Sequence, residues 1–238
     1  MIISKGSTFD GNILEGGGVF LIDKPLTWTS FDVVNKLRNL IRKSFNVKKV
    51  KVGHAGTLDP LASGLLIVCM GKKTKDIESY QGLPKIYTGT MTFGATTPTY
   101  DSESEITEIS DYQPIALEAL EKVMQDFLGE QLQVPPIYSA VKIGGTSSYH
   151  LARRGVEVTL SPRKVTIYRF ECLHWDDPIL NFLVECSKGT YIRSLAHDLG
   201  KQMKSGAYLS SLRREQIGEY DVKYAWTMDE LIYHFTNM

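Results

Sequence analysis

The apolar run LLIVCM, residues 65–70, leaves no face of a strand for water. Side chains alternate with a period of two along a strand, so such a run belongs inside a sheet that is covered on both faces. It is far too short to cross a bilayer. The chain enters it through a glycine-rich loop, GHAGTLDPLASG, residues 53–64, which places a carboxylate, Asp59, directly before a proline. Asp before Pro commonly caps a turn through its own side chain, and glycines supply the unusual backbone angles. Taken by itself, this loop reads as a turn.

The rest of the chain mixes strands and helices. GVFLIDKP, residues 18–25, reads as a short buried strand stopped by Pro25. Thr29 and Asp32 then form a capping box, and Phe31, Val34, Leu37, Leu40 and Ile41 follow at helical spacing. KIYTGTMTFG (85–94) alternates as a strand does, and TTPTYDSESE reads as a polar loop. Pro114 predicts a helix start, with Leu117, Leu120, Met124, Phe127 and Leu128 on one stripe and Gly129 at its end. Residues 133–155 read as irregular, rich in Gly, Pro, Tyr and basic residues. KVTIYRFEC and ILNFLVECS flank the turn-like DDP and predict an antiparallel hairpin. A helix over TYIRSLAHDLGKQM, a strand over YLSSLRREQIGEY and a short helix over MDELIYHF complete the pattern. These elements predict an α+β fold with a mixed, mostly antiparallel central sheet flanked by helices. A lead-in over 1–17 precedes a single domain over 18–238, with no internal repeat or linker tract.

Composition narrows the chemistry. The 238 residues carry 27 Lys and Arg against 27 Asp and Glu, so net charge argues nothing about partners. Its distribution does: residues 1–100 hold 13 bases and 7 acids, and residues 131–217 hold 12 and 7. Basic clusters such as Lys48-Lys49-Val50-Lys51, Arg153-Arg154 and Arg213-Arg214 read singly as solvated surface charge and together as a surface for a polyanion. The three cysteines, Cys69, Cys172 and Cys186, form no CxxC and read as reduced thiols of a cytoplasmic protein. The N-terminus lacks the basic and apolar regions of a signal peptide. Phosphate-loop, GxSxG and HExxH motifs are absent and the five histidines are scattered, which argues against a nucleotide-dependent or metal-dependent enzyme. Carboxylate and arginine chemistry around Asp59, Asp101 and Arg193 remains.

At this point the motifs resemble a known family. GHAGTLDPLASGLLIVCMGKKTK is similar to the catalytic motif of the TruB family of tRNA pseudouridine synthases. LIDKPLTWTS, KIYTGTMTFG, QVPPIYSAVKIGG…LARRGVEV and CSKGTYIRSLAHDLG…LSSLRR agree with it in order and spacing, so the resemblance spans roughly residues 18–220. It implies the pseudouridine synthase fold and isomerisation of the tRNA T-loop uridine (position 55) without cofactor or metal. Asp59 matches the catalytic aspartate, and Arg193 the arginine that pairs with it. Asp101 matches an acid holding that arginine from its other side. Tyr87 resembles the tyrosine that stacks on the target base, while Tyr191 and Leu212 match residues lining the uracil pocket. Lys24 matches a basic position near the site, and His54 a histidine that fills space left by displaced bases. Residues about 133–160 would form an inserted, thumb-like clamp on the T-loop, with Tyr149, Arg153 and Arg154 in contact with RNA.

The family pattern also implies a monomer without an obligate protein partner. A short form is expected, without the C-terminal RNA-binding PUA domain that many members of the family carry. Two other function classes stand beside this reading: a tRNA-binding or tRNA-folding module without turnover, and a glycosidase-like hydrolase using Asp59 and Asp101. An arginine between those carboxylates disfavours the hydrolase, because it would keep both ionised.

Overall fold

The computed structural model describes residues 1–237 and is an α+β structure. It divides into two compact units, one of Met1–Tyr87 with the chain from Arg213 onward, the other of Thr88–Leu212. The boundary falls inside two strands, Lys85–Phe93 and Ala207–Ile217. The chain therefore passes from one unit to the other in extended backbone, and no Pro-, Gly- or Ser-rich tract marks the division.

In the first unit, strand Gly18–Lys24 runs antiparallel to strand Ala62–Met70, with Gly18 opposite Met70 and Lys24 opposite Gly64. The short strand Val52–His54 pairs antiparallel with the same central strand, His54 opposite Val68. Ile2–Ile3 and Trp226–Thr227 add parallel pairings to Gly18–Lys24, which makes the sheet mixed. The central strand is buried on both faces, as its apolar run requires. Leu66, Val68 and Met70 enter one core cluster, while Leu65, Ile67 and Cys69 enter a second one. The first cluster is closed by two amphipathic helices, Ser30–Ser44 and Met228–Thr236. Each starts at a capping box: Thr29 with Asp32, and Thr227 with Glu230.

The lead-in also belongs to this core. Ile3, Phe9 and Ile13 are buried in the first cluster, and Phe9 meets Phe20 edge-to-face at 5.6 Å. Isolated apolar residues in a polar stretch have no period, so the sequence pattern could not reveal their packing.

In the second unit the predicted hairpin forms. Arg163–Asp176 and Ile179–Cys186 pair antiparallel from Asp176 opposite Ile179 to Ile167 opposite Cys186. Gly129–Gln133 pairs antiparallel along the other edge of Arg163–Asp176. The helix expected from Pro114 runs over Leu117–Asp126, with Leu120 and Met124 buried. Gly129, expected only to end that helix, opens the edge strand with φ +90°. The segment read as irregular is built from small elements: a hairpin of Lys142–Ile143 with Thr146–Ser147, then helix Ser148–Arg153. Val141, Val158 and Leu160 form its own apolar cluster, with Leu151 and Tyr191 packed against it. Elements this short show no periodicity in sequence.

Candidate active site

Asp59 is half-buried, in the loop between Val52–His54 and Ala62–Met70. That loop is held by main-chain bonds on both sides of the carboxylate. The buried Ser30 hydroxyl accepts from the Leu58 N–H at 2.8 Å and donates to the Leu58 carbonyl at 3.0 Å. The Asp59 carbonyl accepts from Ala62 N–H at 3.0 Å, and the Pro60 carbonyl from Thr27 N–H at 2.8 Å. Arg214 donates from Nε to the Leu65 carbonyl at 2.7 Å and from Nη2 to the Gly56 carbonyl at 3.2 Å. Backbone groups committed in this way leave the loop little freedom to rearrange.

Lys24 lies fully buried beside this loop, its Nζ donating to the carbonyls of Pro25 at 2.9 Å and Trp28 at 2.6 Å. Burial lowers its pKa to about 8, opposed first by the attraction of Asp59 and reinforced by the repulsion of Arg214. His54 is held below the ordinary histidine range by burial and then by Arg214, so its ring is neutral at pH 7. Its Nδ1 is buried without a hydrogen-bond partner. Tyr87, on strand Lys85–Phe93, is buried.

The remaining expected residues lie in the second unit. The loop TTPTYDSESE, which reads as solvated, buries Thr97, Thr99 and Asp101. The Asp101 carboxylate accepts from the Thr99 hydroxyl and, at 2.9 Å, from the Glu103 N–H. Its other oxygen lies 3.5 Å from Nε of Arg193. Arg193, buried at the start of helix Ile192–Gln202, also donates from Nη1 to the Thr99 carbonyl at 3.1 Å. The expected Asp101–Arg193 pair is thus present, and this loop gives the guanidinium two anchors. Tyr100, at φ +62°, takes the left-handed turn between those anchors, its ring stacked on His197 at 4.0 Å.

Tyr191 precedes the same helix. Its N–H donates to Gln133 Oε1 at 2.8 Å and its carbonyl accepts from Gln133 Nε2 at 3.1 Å. Ser194 Oγ donates to the Val134 carbonyl at 2.8 Å, so the root of the inserted segment is stapled to the helix that carries Arg193. Leu212 is half-buried opposite Gly89, where any side chain would strike the Ser211 carbonyl. On the insertion, the Arg153 guanidinium stacks 4.9 Å from the Tyr149 ring, and both side chains reach Glu103 Oε1 at 3.3 Å. Arg154 is exposed.

Sequence reasoning missed Ser30, Thr99, Gln133 and Arg214. Arg214 is the sharpest correction: within the Arg213-Arg214 pair that reads as surface charge, it is only 1% exposed. Arg213 pairs with Asp23 at 2.7 Å and keeps partial exposure. Among the described residues, no cluster of His, Cys, Asp or Glu could hold a metal ion, and no helix is long and apolar enough to cross a membrane.

Comparison with known proteins matches the chain to a family of pseudouridylate synthases. Residues 42–192 match the TruB family pseudouridylate synthase N-terminal domain, and residues 193–237 the tRNA pseudouridylate synthase B C-terminal domain. The chain is 52% identical over 210 residues to tRNA pseudouridine synthase B of Flavobacterium johnsoniae, covering 88% of this chain and 92% of that one. It is 46% identical over 215 residues to the protein of that name in Parabacteroides distasonis, covering 90% and 92%. Among solved structures, the H/ACA RNP bound to a substrate RNA containing 2'-deoxyuridine aligns with TM-score 0.67 at 25% identity, covering all of this chain and 63% of that one. The archaeal box H/ACA sRNP Nop10-Cbf5 complex aligns with TM-score 0.66 at 26% identity, over 93% of this chain and 54% of that one.

Proposed function

The chain belongs to the TruB family of pseudouridylate synthases and isomerises uridine to pseudouridine in tRNA, and from that premise we propose that its target is the T-loop uridine at position 55, with Asp59 as the essential carboxylate. The reaction breaks the N1–C1′ bond, turns the uracil and joins C5 to C1′. Substrate and product are isomers, so no oxidant, reductant or group donor enters. The proton lost from C5 passes to solvent, and N1 gains one. An ionised carboxylate serves either as nucleophile at C1′ or as the group that assists elimination to a glycal. The observation that carries this reading is the clamped Asp59 loop with Lys24 buried beside it, because a neighbouring cation favours the ionised carboxylate.

A uridine inside a folded loop must leave its stack before C1′ is accessible. Tyr87 is proposed to stack on the extruded base, Tyr191 and Leu212 to bound the uracil, and neutral His54 to fill space vacated in the loop. Tyr149, Arg153 and Arg154 of the insertion are proposed to grip the T-loop through stacking and phosphate contacts. Arg193, anchored by Thr99 and Asp101, is proposed to support the ionised carboxylate. The protein is proposed to act as a cytoplasmic monomer.

The test is tritium release from a tRNA transcript labelled at uridine C5, with pseudouridine mapped afterwards. Release with a single pseudouridine at position 55 is expected. Binding of tRNA without release would point instead to a folding module, and pseudouridine elsewhere would overturn the target.

Lys24 adds a pH dependence. Loss of its proton near pH 8 removes a cation from beside Asp59, so the single-turnover rate is expected to fall above that pH. Stability should move the other way. The unfolded lysine keeps its proton to about pH 10.4, so between these values the unfolded state binds more protons and this group favours the fold increasingly as pH rises. A rate–pH profile beside melting curves checks both signs. Lys24→Met should show the reduced alkaline rate at every pH, whereas an alkaline limb surviving in that variant would assign it to another group.

A further inference from the structure

We propose that Arg214 is a positioning residue for this reaction: it spans the Asp59 loop from Leu65 to Gly56 and supplies the fixed charge beside Lys24 that holds the loop in its working geometry. This rests on the reading of Asp59 given above. Two observations carry it, one geometric and one electrostatic.

The geometric observation concerns the roots of the loop. Arg214 bonds the Gly56 carbonyl before Asp59 and the Leu65 carbonyl after it, so one side chain ties both limbs. The limb after Asp59 is cut to receive the main chain at Arg214. Gly64 has φ +102°, and a Cβ there would lie 2.3 Å from the Arg214 carbonyl oxygen. Gly56 has φ +109°, with the Arg214 Nη1 atom 3.7 Å from where a Cβ would stand. Gly64 is thus required by the close approach of the Arg214 main chain as well as by its φ, whereas Gly56 is required by its φ and leaves the Arg214 guanidinium at ordinary contact distance.

The electrostatic observation concerns what a stitch would need. A neutral donor meets a carbonyl at far lower desolvation cost than a buried guanidinium. Arg214 is 1% exposed, and its hydrogen bonds run to main-chain carbonyls rather than to a carboxylate. Its charge acts on the neighbouring groups: it depresses both Lys24 and His54. The charged groups acting on Lys24 are Asp59, Arg214, Asp32 and Asp23, and Asp59 is the strongest attraction among them. The fixed charge of Arg214 thus acts on Lys24, the buried cation for which Asp59 is the strongest attraction.

The experiment compares Arg214→Lys and Arg214→Met with the wild type in the full chain, measuring tRNA affinity, single-turnover rate at saturating tRNA between pH 6 and 9.5, and thermal melting. Arg214→Met is expected to lose about 100-fold or more in rate, the scale of a small misplacement of a reacting group, with affinity within about threefold. Its alkaline limb should move to higher pH, because Lys24 is no longer repelled. Arg214→Lys keeps the charge but not the two-limbed span. It should show an intermediate rate with the limb near its wild-type position.

A wild-type rate per folded molecule, a parallel fall in rate and affinity, or an unmoved limb in Arg214→Met overturns the proposal. Should Arg214→Met not fold, Arg214→Lys decides: a slowed rate at normal affinity supports positioning, and a wild-type rate overturns it. Absence of tritium release from the wild type would fail the Asp59 reading itself, whereas an active wild type with equally active Arg214 variants fails only this inference.

Discussion

Asp59→Asn is expected to abolish pseudouridine formation, with a fall of about 10⁴-fold or more in single-turnover rate, as when a nucleophile that acts as part of a unit is removed. The amide is nearly isosteric with the carboxylate, and the bonds that hold the loop at Leu58, Asp59 and Pro60 use main-chain atoms and the Ser30 hydroxyl. The fold and the approach of RNA should therefore persist. Loss of the Asp59 charge also removes the main attraction that keeps Lys24 protonated, so the lysine pKa should drop further below about 8. Neutralisation of the lysine avoids a buried unpaired charge and limits the loss of stability. The measurement is tritium release under single turnover, beside tRNA binding and melting temperature. A residual rate near that of the wild type would remove Asp59 from the chemistry. Loss of tRNA binding together with activity would make it a residue that holds the loop in shape.

Arg193→Lys is expected to be nearly as severe, at about 10²- to 10³-fold in rate with tRNA affinity little changed, because an ammonium cannot reproduce a planar fork that donates along several directions. The guanidinium already commits Nη1 to the Thr99 carbonyl and lies with Nε 3.5 Å from Asp101. A lysine carries one nitrogen, which cannot reproduce the separate contacts of the guanidinium with the Thr99 carbonyl and with Asp101. Asp101→Asn should fall short of this effect, because the Thr99 carbonyl still holds Arg193. Parallel single-turnover and binding measurements on the two variants check the ranking. Near-normal turnover in Arg193→Lys would reduce Arg193 to a structural anchor of its loop.

Much of the scaffold was legible in the order of residues. LLIVCM demanded a strand covered on both faces, and it is divided between two core clusters by strict alternation. Thr29 and Asp32 announced a helix start that the structure reproduces with both reciprocal bonds. DDP between two alternating runs announced the hairpin. The setting of Asp59, a carboxylate in a glycine-rich loop at the mouth of a buried strand, is written in contiguous residues but reads by itself only as a turn. The motif resemblance then linked it to Arg193, Asp101 and Tyr87.

Contiguous sequence therefore determined the longer elements, most of the faces they bury and the family to which the chain belongs, because periodicity and motif spacing are local properties; Phe31, expected on the buried stripe of its helix, is exposed. Tertiary structure alone decided which polar residues leave the water. Asp101 and Thr99 sit in a stretch whose composition says solvent, and they are buried because Arg193 reaches back across 94 residues to meet them. Arg214 sits in a basic pair whose composition says surface, and it is buried because carbonyls 149 and 158 residues away lie where its donors end. Burial of a polar group is stable only where its partners wait, and the positions of partners so distant in the chain exist only once it has folded.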